Sequence, residues 1–117
     1  MRNFRNYEVW QKAIRLSKDV YLLTESFPEK EKFALTNQVQ RAAVSVASNI
    51  AEGSSRNSEV KFVRYLEIAM GSSFEVETQL IISHEIGYIH KDTLDQEVKK
   101  LHTLQKQLNQ FISKIKS

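Results

Sequence analysis

The chain has no cysteine, only one proline and only three glycines among its 117 residues. The lack of cysteine excludes a disulfide scaffold, a thiolate metal site and a cysteine nucleophile, and it fits a reducing compartment. So little proline and glycine leaves few turn residues for a strand-rich fold. No segment approaches the roughly 20 uninterrupted apolar residues that span a bilayer, and the start MRNFRNYEVWQKAIR lacks the apolar run of a secretory signal. We therefore expect an α-helical, cytoplasmic protein.

Turn signals divide the chain into four amphipathic segments, which predicts an all-α, antiparallel up-down-up-down four-helix bundle that forms one domain over residues 1–117. The first helix is predicted from an N-cap at Asn6 to Ser26. It ends there because Pro28 disfavours the α conformation in the residue before it. The second helix is predicted to begin between Pro28 and Leu35 and to stop at Gly53, whose missing Cβ suits a left-handed C-cap.

The third and fourth helices have clearer end signals. Asn57 or Ser58 is predicted to cap the third helix, Gly87 to close it and Asp92 to open the fourth. In the third helix the apolar face holds Phe62, Leu66, Ala69, Ser73, Val76 and Leu80. In the fourth it holds Leu94, Leu101, Leu104, Leu108, Phe111 and Ile115. The first helix carries two neighbouring stripes, one of Tyr7, Trp10, Ile14, Ser17 and Tyr21 and one of Ala13, Leu16, Val20 and Leu23.

The second helix has unusually little charge, since Arg41 is the only charged residue in LTNQVQRAAVSVASNIA. A helix with so few charged residues is expected to be covered on most sides. Ala43, Ala47 and Ala51 form a row at four-residue spacing, along which another helix backbone could approach closely. We therefore predict that this helix lies between its own bundle and a partner chain, with the alanine row as a candidate homo-oligomer interface.

Up-down-up-down topology concentrates positive charge at one pole of the bundle. The start of the first helix, the turn between the second and third, and the end of the fourth meet there. Residues 1–17, 50–66 and 104–117 contain ten basic and three acidic side chains, a net +7, whereas the whole chain carries +3. Clustered basic residues bind phosphates, although such a cluster is also a common solvated surface. The candidate nucleic-acid contacts are Arg15, Arg56, Lys61, Arg64, Lys106 and Lys114.

No catalytic or metal-binding pattern is recognisable. His84, His90 and His102 lack a carboxylate or a second histidine three or four residues earlier, so the Glu-x-x-His pairs of di-iron bundles are absent. Glu75 and Glu77 are two residues apart on a helix and point to different faces. The isolated glycines form no phosphate-binding loop, and Gly71 is predicted to mark a close approach of two helices. We expect a protein without enzymatic activity, cofactor or metal.

The strings FRNYEVWQKA, FPEKEKFALTNQVQRAAVSVASNIAEGSSRNS, YLEIAMGSSFEVETQL and IGY resemble a known family. They are similar to the four-helix-bundle proteins encoded by intervening sequences in bacterial 23S ribosomal RNA genes. In outline they also resemble the accessory variability-determinant proteins of diversity-generating retroelements. The most specific part is residues 49–53, NIAEG, preceded by Gln38, Arg41, Ala42 and Ala43. The resemblance implies a ring of bundles, commonly a homopentamer. In the retroelement branch it also implies a basic surface that binds nucleic acid and a reverse transcriptase.

Structural roles are predicted for Asn49, Glu52 and Gly53 of this motif. The Asn49 amide is expected to satisfy carbonyl groups at the helix end, and Glu52 to pair with Arg56 or Arg64. Two functions remain open. One is a homo-oligomer that binds RNA or DNA non-specifically through its basic pole. The other is a scaffold for a protein partner, with no nucleic-acid binding.

Overall fold

A computed structural model describes residues 2–117 and shows four α-helices with no strand among those residues. The helices are α1 (Glu8–Thr24), α2 (Leu35–Ser54), α3 (Glu59–Glu85) and α4 (Lys91–Lys116). Short 3₁₀ turns at Phe4–Asn6 and Glu29–Glu31 precede α1 and α2.

The helices form the antiparallel up-down-up-down bundle that the sequence predicts. α2 packs most extensively against α3, while α1 packs more closely against α2 than against α4. The core is made of aliphatic side chains from all four helices and is closed at one end by Phe62. Its fully buried large members are Val20, Val39, Val46, Ile50, Leu66, Val76, Leu80, Leu101, Leu104 and Leu108. Burial of these apolar faces is the main force that stabilises helices of this length.

The predicted ends of α3 at Ser58 and Gly87 are confirmed, whereas those predicted at Asn6, Ser26 and Asp92 differ from the structure by one or two residues. The Ser58 side chain accepts a hydrogen bond from the Lys61 amide, so Ser58 caps α3, and Gly87 follows α3 with a φ of 89°. Asn6 does not cap α1, because residues 4–6 form a 3₁₀ turn and Tyr7 takes the N-cap position without a side-chain hydrogen bond. Asp92 lies in the first turn of α4, which begins one residue earlier. The first helix also ends at Thr24, two residues before the predicted position.

Neither of the two helical glycines has the role that the sequence predicts. Gly53 lies inside α2 and is not in the left-handed conformation. A Cβ built on Gly53 would come 2.6 Å from the Cβ of Tyr65, so Gly53 is where α2 and α3 approach closely. Gly71 is exposed on α3, and a Cβ there would have no described neighbour within 4 Å outside its own helical turns. Gly71 therefore marks no close approach between helices among residues 2–117.

The alanine row on α2 is covered by the chain's own helices. Ala43 is completely buried and Ala47 is 7% exposed, and both belong to the core, while Ala51 is half-buried. The prediction that Ala43 and Ala47 form an accessible surface for a partner chain is therefore wrong. The low charge of α2 has a simpler cause, since this helix packs on both α1 and α3.

The two predicted stripes of α1 are buried to different extents, and of the first stripe only Tyr7 and Trp10 pack, partly buried, against the core. Ala13, Leu16 and Val20 belong to the core, whereas Ile14 is 44% and Tyr21 is 49% exposed. The neighbouring helices therefore cover only part of the apolar surface of α1.

Candidate nucleic-acid interface

Aromatic side chains join three segments of the chain at one pole of the bundle. The ring of Tyr7 lies 6.3 Å from that of Phe62 and 5.0 Å from that of Phe111, and the Phe62 and Phe111 rings are 5.6 Å apart. Tyr7 precedes α1, Phe62 lies in the first turn of α3 and Phe111 near the end of α4. The predicted convergence of the basic segments at this pole is therefore confirmed.

Burial raises the pKa of Tyr7, although the nearby positive charge of Arg2 acts in the opposite direction. The Arg2 guanidinium lies 4.7 Å from the centre of the Phe62 ring and donates hydrogen bonds to the carbonyl oxygens of Ser54 and Arg56. Arg2 thereby links the start of the chain to the turn between α2 and α3.

Arg56 is held in place by its own chain. Its Nη2 lies 3.2 Å from Oε1 of Glu52 and donates a 2.8 Å hydrogen bond to the hydroxyl of Tyr65. The guanidinium also stacks over the Tyr65 ring, 4.7 Å from its centre. The predicted pairing of Glu52 with Arg56 is confirmed, whereas no ion pair between Glu52 and Arg64 occurs in the described structure. Arg56 thus fixes the turn and is less available to a phosphate than the neighbouring cations.

The other five predicted cations are exposed but do not lie together. Lys61 and Arg64 are in the first two turns of α3 and Lys114 is in the last turn of α4, all near the pole. None of these three side chains is in an ion pair within 4.0 Å among residues 2–117. Arg15 and Lys106 lie further along the bundle, on the α1 and α4 sides.

Asn49 braces the contact between α2 and α3 and does not cap the end of α2. Its amide donates hydrogen bonds of 2.8 Å to the carbonyl of Ser45 and 2.9 Å to the Ser45 hydroxyl. That hydroxyl lies 2.9 Å from the hydroxyl of Ser72 on α3. The predicted capping role of Asn49 is wrong because the carbonyl it binds lies one turn earlier, inside the helix.

A groove of about 580 Å³ runs between α1 and α4, where the two helices pack loosely. Its floor is apolar, with Leu16, Leu101 and Leu104 almost fully buried. Its rim carries five basic side chains and one acidic one: Lys12, Arg15, Lys18, Lys99, Lys100 and Asp19. Of these only Arg15 was identified from the sequence. Lys12 and Lys18 lie three residues on either side of Arg15, a spacing that places all three on neighbouring parts of one helix face.

A buried carboxyl group, Glu97, lies beside this groove. The residue is 6% exposed, and its Oε1 has no hydrogen-bond partner among the described residues. The Lys100 ammonium lies 3.4 Å from the other oxygen of Glu97 and 3.0 Å from the Asp19 carboxylate. Burial raises the pKa of Glu97, and the neighbouring Asp19 charge raises it further, although Lys100 acts against both.

We expect Glu97→Gln to raise the melting temperature at neutral pH by a few degrees. A carboxyl whose pKa is raised on folding is favourable for stability below its unfolded-state pKa, and this contribution is lost as the pH rises through the folded-state pKa. Glutamine stays neutral throughout, so the difference between variant and wild type should disappear near pH 4. Melting curves between pH 4 and 8 measure it, with Glu29→Gln, at another exposed glutamate, as control. Equal melting temperatures at every pH would contradict a raised pKa.

His84 and His102 each have a hydrogen-bonding partner of their own. His84 Nδ1 lies 3.1 Å from the carbonyl oxygen of Ile89, and His102 Nε2 lies 3.2 Å from the Glu77 carboxylate. Within residues 2–117 no three histidine or carboxylate side chains come close enough together to hold a metal ion. None of the four helices has the length and apolar character needed to cross a membrane in the part of the chain described.

Comparisons with known proteins agree with this fold. The crystal structure of a protein of unknown function from the S23 ribosomal protein family of Bacteroides thetaiotaomicron VPI-5482 superposes with a TM-score of 0.81. The match covers 90% of this chain and 95% of that one at 24% sequence identity, which shows a common fold. No protein with a curated description matches the sequence. The family model of the 23S rRNA-intervening sequence proteins matches residues 5–110, and the chain therefore belongs to this family.

Proposed function

We propose that this protein is a non-enzymatic homo-oligomer that binds RNA or DNA through its basic pole without sequence preference. The observation that carries the proposal is the convergence of three basic segments around the Tyr7, Phe62 and Phe111 rings. Exposed lysine and arginine side chains on a rigid helical framework bind phosphates and release the counterions of the nucleic acid. The chain has a sequence pI of about 9.2, which favours polyanions as partners.

The nucleic-acid contacts are assigned to Lys61, Arg64 and Lys114, which are exposed at the pole. Arg56 has an indirect role, because its contacts with Glu52 and Tyr65 fix the turn that leads into α3. Three phosphate contacts in one subunit give weak binding. Assembly of several subunits with their poles on the same side would multiply the contacts and so strengthen binding to a long strand.

Reversing the charge of two pole residues, Lys61→Glu with Arg64→Glu, is expected to weaken binding to mixed-sequence RNA or DNA at least about tenfold. The slope of log affinity against log salt should become shallower by about two for each bound subunit. Folding should be preserved, since glutamate three residues after the Ser58 cap is favourable in a first helical turn. Fluorescence anisotropy at several salt concentrations measures both quantities.

The matched control is Lys30→Glu with Lys32→Glu, at the opposite pole. Both lysines are exposed, and this double reversal changes the formal charge of the chain by the same amount. If the two double variants lose affinity equally, only overall charge matters and the pole is not a binding face. Binding by the wild type that does not change between low and moderate salt, or no binding at all, would contradict the proposal.

The alternative function, a scaffold for a different protein, is favoured by one observation, the exposed apolar side chains along α3. A scaffold predicts that the Lys61 and Arg64 reversals leave recovery of a protein partner unchanged. Loss of nucleic-acid binding in the same variants would instead support the first function.

A further inference from the structure

The outer face of α3 carries exposed apolar residues among its polar ones. Ile68 is 45%, Phe74 53%, Ile81 42% and Ile82 45% exposed, and these four residues, the α3 ridge, lie on the side of the helix away from the core. An extended apolar surface of this kind on a small bundle marks a binding surface for another polypeptide.

Gly71 lies in the middle of the α3 ridge. No described residue outside its own helical turns lies close enough to require a glycine at this position. Glycine in a helix interior is unfavourable by roughly 1 kcal/mol relative to alanine. The space around Gly71 is open on the side away from its own helix. Because Gly71 has no side chain, a second polypeptide could come close to the α3 backbone between Ile68 and Phe74.

Acidic side chains lie among the residues of the α3 ridge. Glu67, Glu75 and Glu85 are exposed, and no ion pair involves them within the described residues. Residues 65–90 contain no lysine or arginine. A partner for this surface therefore needs an apolar centre with basic edges.

The groove between α1 and α4 has this character. Its floor is made of leucines, and Leu22 at its edge is 54% exposed. Its rim has five basic side chains against the single Asp19, which is itself paired with Lys100. The α3 ridge and the groove are thus complementary in both hydrophobicity and charge, and they lie on different sides of the same chain.

We infer that the α3 ridge of one copy packs into the α1–α4 groove of a second copy. The two surfaces lie at similar heights when the bundles are parallel. At 1.5 Å per residue, the ridge from Ile68 to Ile82 spans roughly 14–35 Å from the start of α3 at the basic pole, and Lys99 to Leu104 lie within that span, roughly 18–26 Å from the end of α4 at the same pole. Two parallel bundles at the same height can therefore form this contact.

The contact joins two different surfaces, so a docked pair keeps one ridge and one groove free for further copies. Repetition of such a head-to-tail contact gives a ring where the rotation between copies closes, and an open filament where it does not. Parallel bundles place every basic pole on one side of this ring. The inference rests on the homo-oligomer of the proposed function and names its interface. It also assigns Arg15 to the contact between copies, because Arg15 lines the groove.

Two single variants test the inference. Phe74→Asp removes the ridge and keeps the groove, whereas Leu22→Asp blocks the groove and keeps the ridge. Both residues are about half exposed, so the bundle itself should fold, as circular dichroism can verify. By light scattering the wild type should be a multimer of the 13.6 kDa chain and each variant a monomer. An equimolar mixture of the two variants should form a dimer, because one intact ridge then meets one intact groove.

Phe33→Asp is the matched control, since Phe33 is 86% exposed and lies outside the ridge and the groove, so it should keep the wild-type mass. A monomeric wild type would overturn the inference together with the homo-oligomer. A multimeric wild type whose mass is unchanged by Phe74→Asp would overturn the interface alone. Monomeric variants that do not associate when mixed would overturn the pairing of ridge with groove. Nucleic-acid binding is measured separately with the Lys61 and Arg64 variants.

Discussion

Replacing Gly53 with alanine is expected to destabilise the bundle by about 1–3 kcal/mol, although alanine is the better helix former. The new Cβ would lie 2.6 Å from the Cβ of Tyr65 and 3.1 Å from Cδ1 of Phe62. A Cβ atom is fixed to its backbone, so α2 and α3 must move apart to accommodate the methyl group. Urea unfolding of wild type and variant gives the free energy of unfolding directly.

Gly71→Ala is the control for this prediction, because Gly71 is in a helix but has no such neighbour. It is expected to stabilise the bundle by roughly 0.5–1 kcal/mol through helix propensity. Both substitutions are best compared in the Phe74→Asp background, which removes association through the α3 ridge. If Gly53→Ala stabilises the chain as much as Gly71→Ala does, the helices do not approach closely at Gly53.

Phe62→Ala should have the largest effect of a single truncation at the basic pole, a loss of about 3–5 kcal/mol of unfolding free energy. Phe62 is 2% exposed and contacts the rings of Tyr7 and Phe111 and the guanidinium of Arg2. Its removal leaves a cavity where three segments of the chain meet. The chain contains one tryptophan, Trp10, near the start of α1, so its fluorescence should also shift as that segment loosens.

The control for the Phe62 truncation is Phe33→Ala, at a phenylalanine that is 86% exposed. Its effect should stay within about 0.5 kcal/mol. A loss at Phe62 as small as this would mean that the aromatic rings do not hold the pole together. Nucleic-acid affinity should fall in Phe62→Ala as well, because the basic side chains keep their charge but lose their common framework.

The sequence predicts the fold of this chain well because the hydrophobic pattern is a property of each helix by itself. The buried faces of α3 and α4 follow the three- and four-residue spacing of their apolar residues, as at Leu66 and Leu101. The cap at Ser58 and the positive φ of Gly87 are also local, since each depends on the backbone of a few neighbouring residues. The convergence of basic segments at one pole follows from topology alone.

The roles of Gly53, Gly71 and the alanine row are not local, and here the sequence was misleading. A glycine near a helix end fits both a left-handed cap and a close helix contact, and the Cβ of Tyr65, which lies 12 positions further along the chain, decides between them. The alanine spacing shows that Ala43 and Ala47 are buried but not which polypeptide buries them.

The candidate site shows the same division between sequence and tertiary structure. The sequence alone determined the all-α bundle and the net charge of the basic pole, because helical periodicity and short loops fix them, and it limited the partner of Glu52 to Arg56 or Arg64. Only the tertiary structure showed that Arg56 is held by Tyr65, that α1 and α4 leave a groove, and that apolar side chains on the outer face of α3 are exposed. These features depend on distances between side chains far apart in the chain, which the spacing of residues within one helix does not contain.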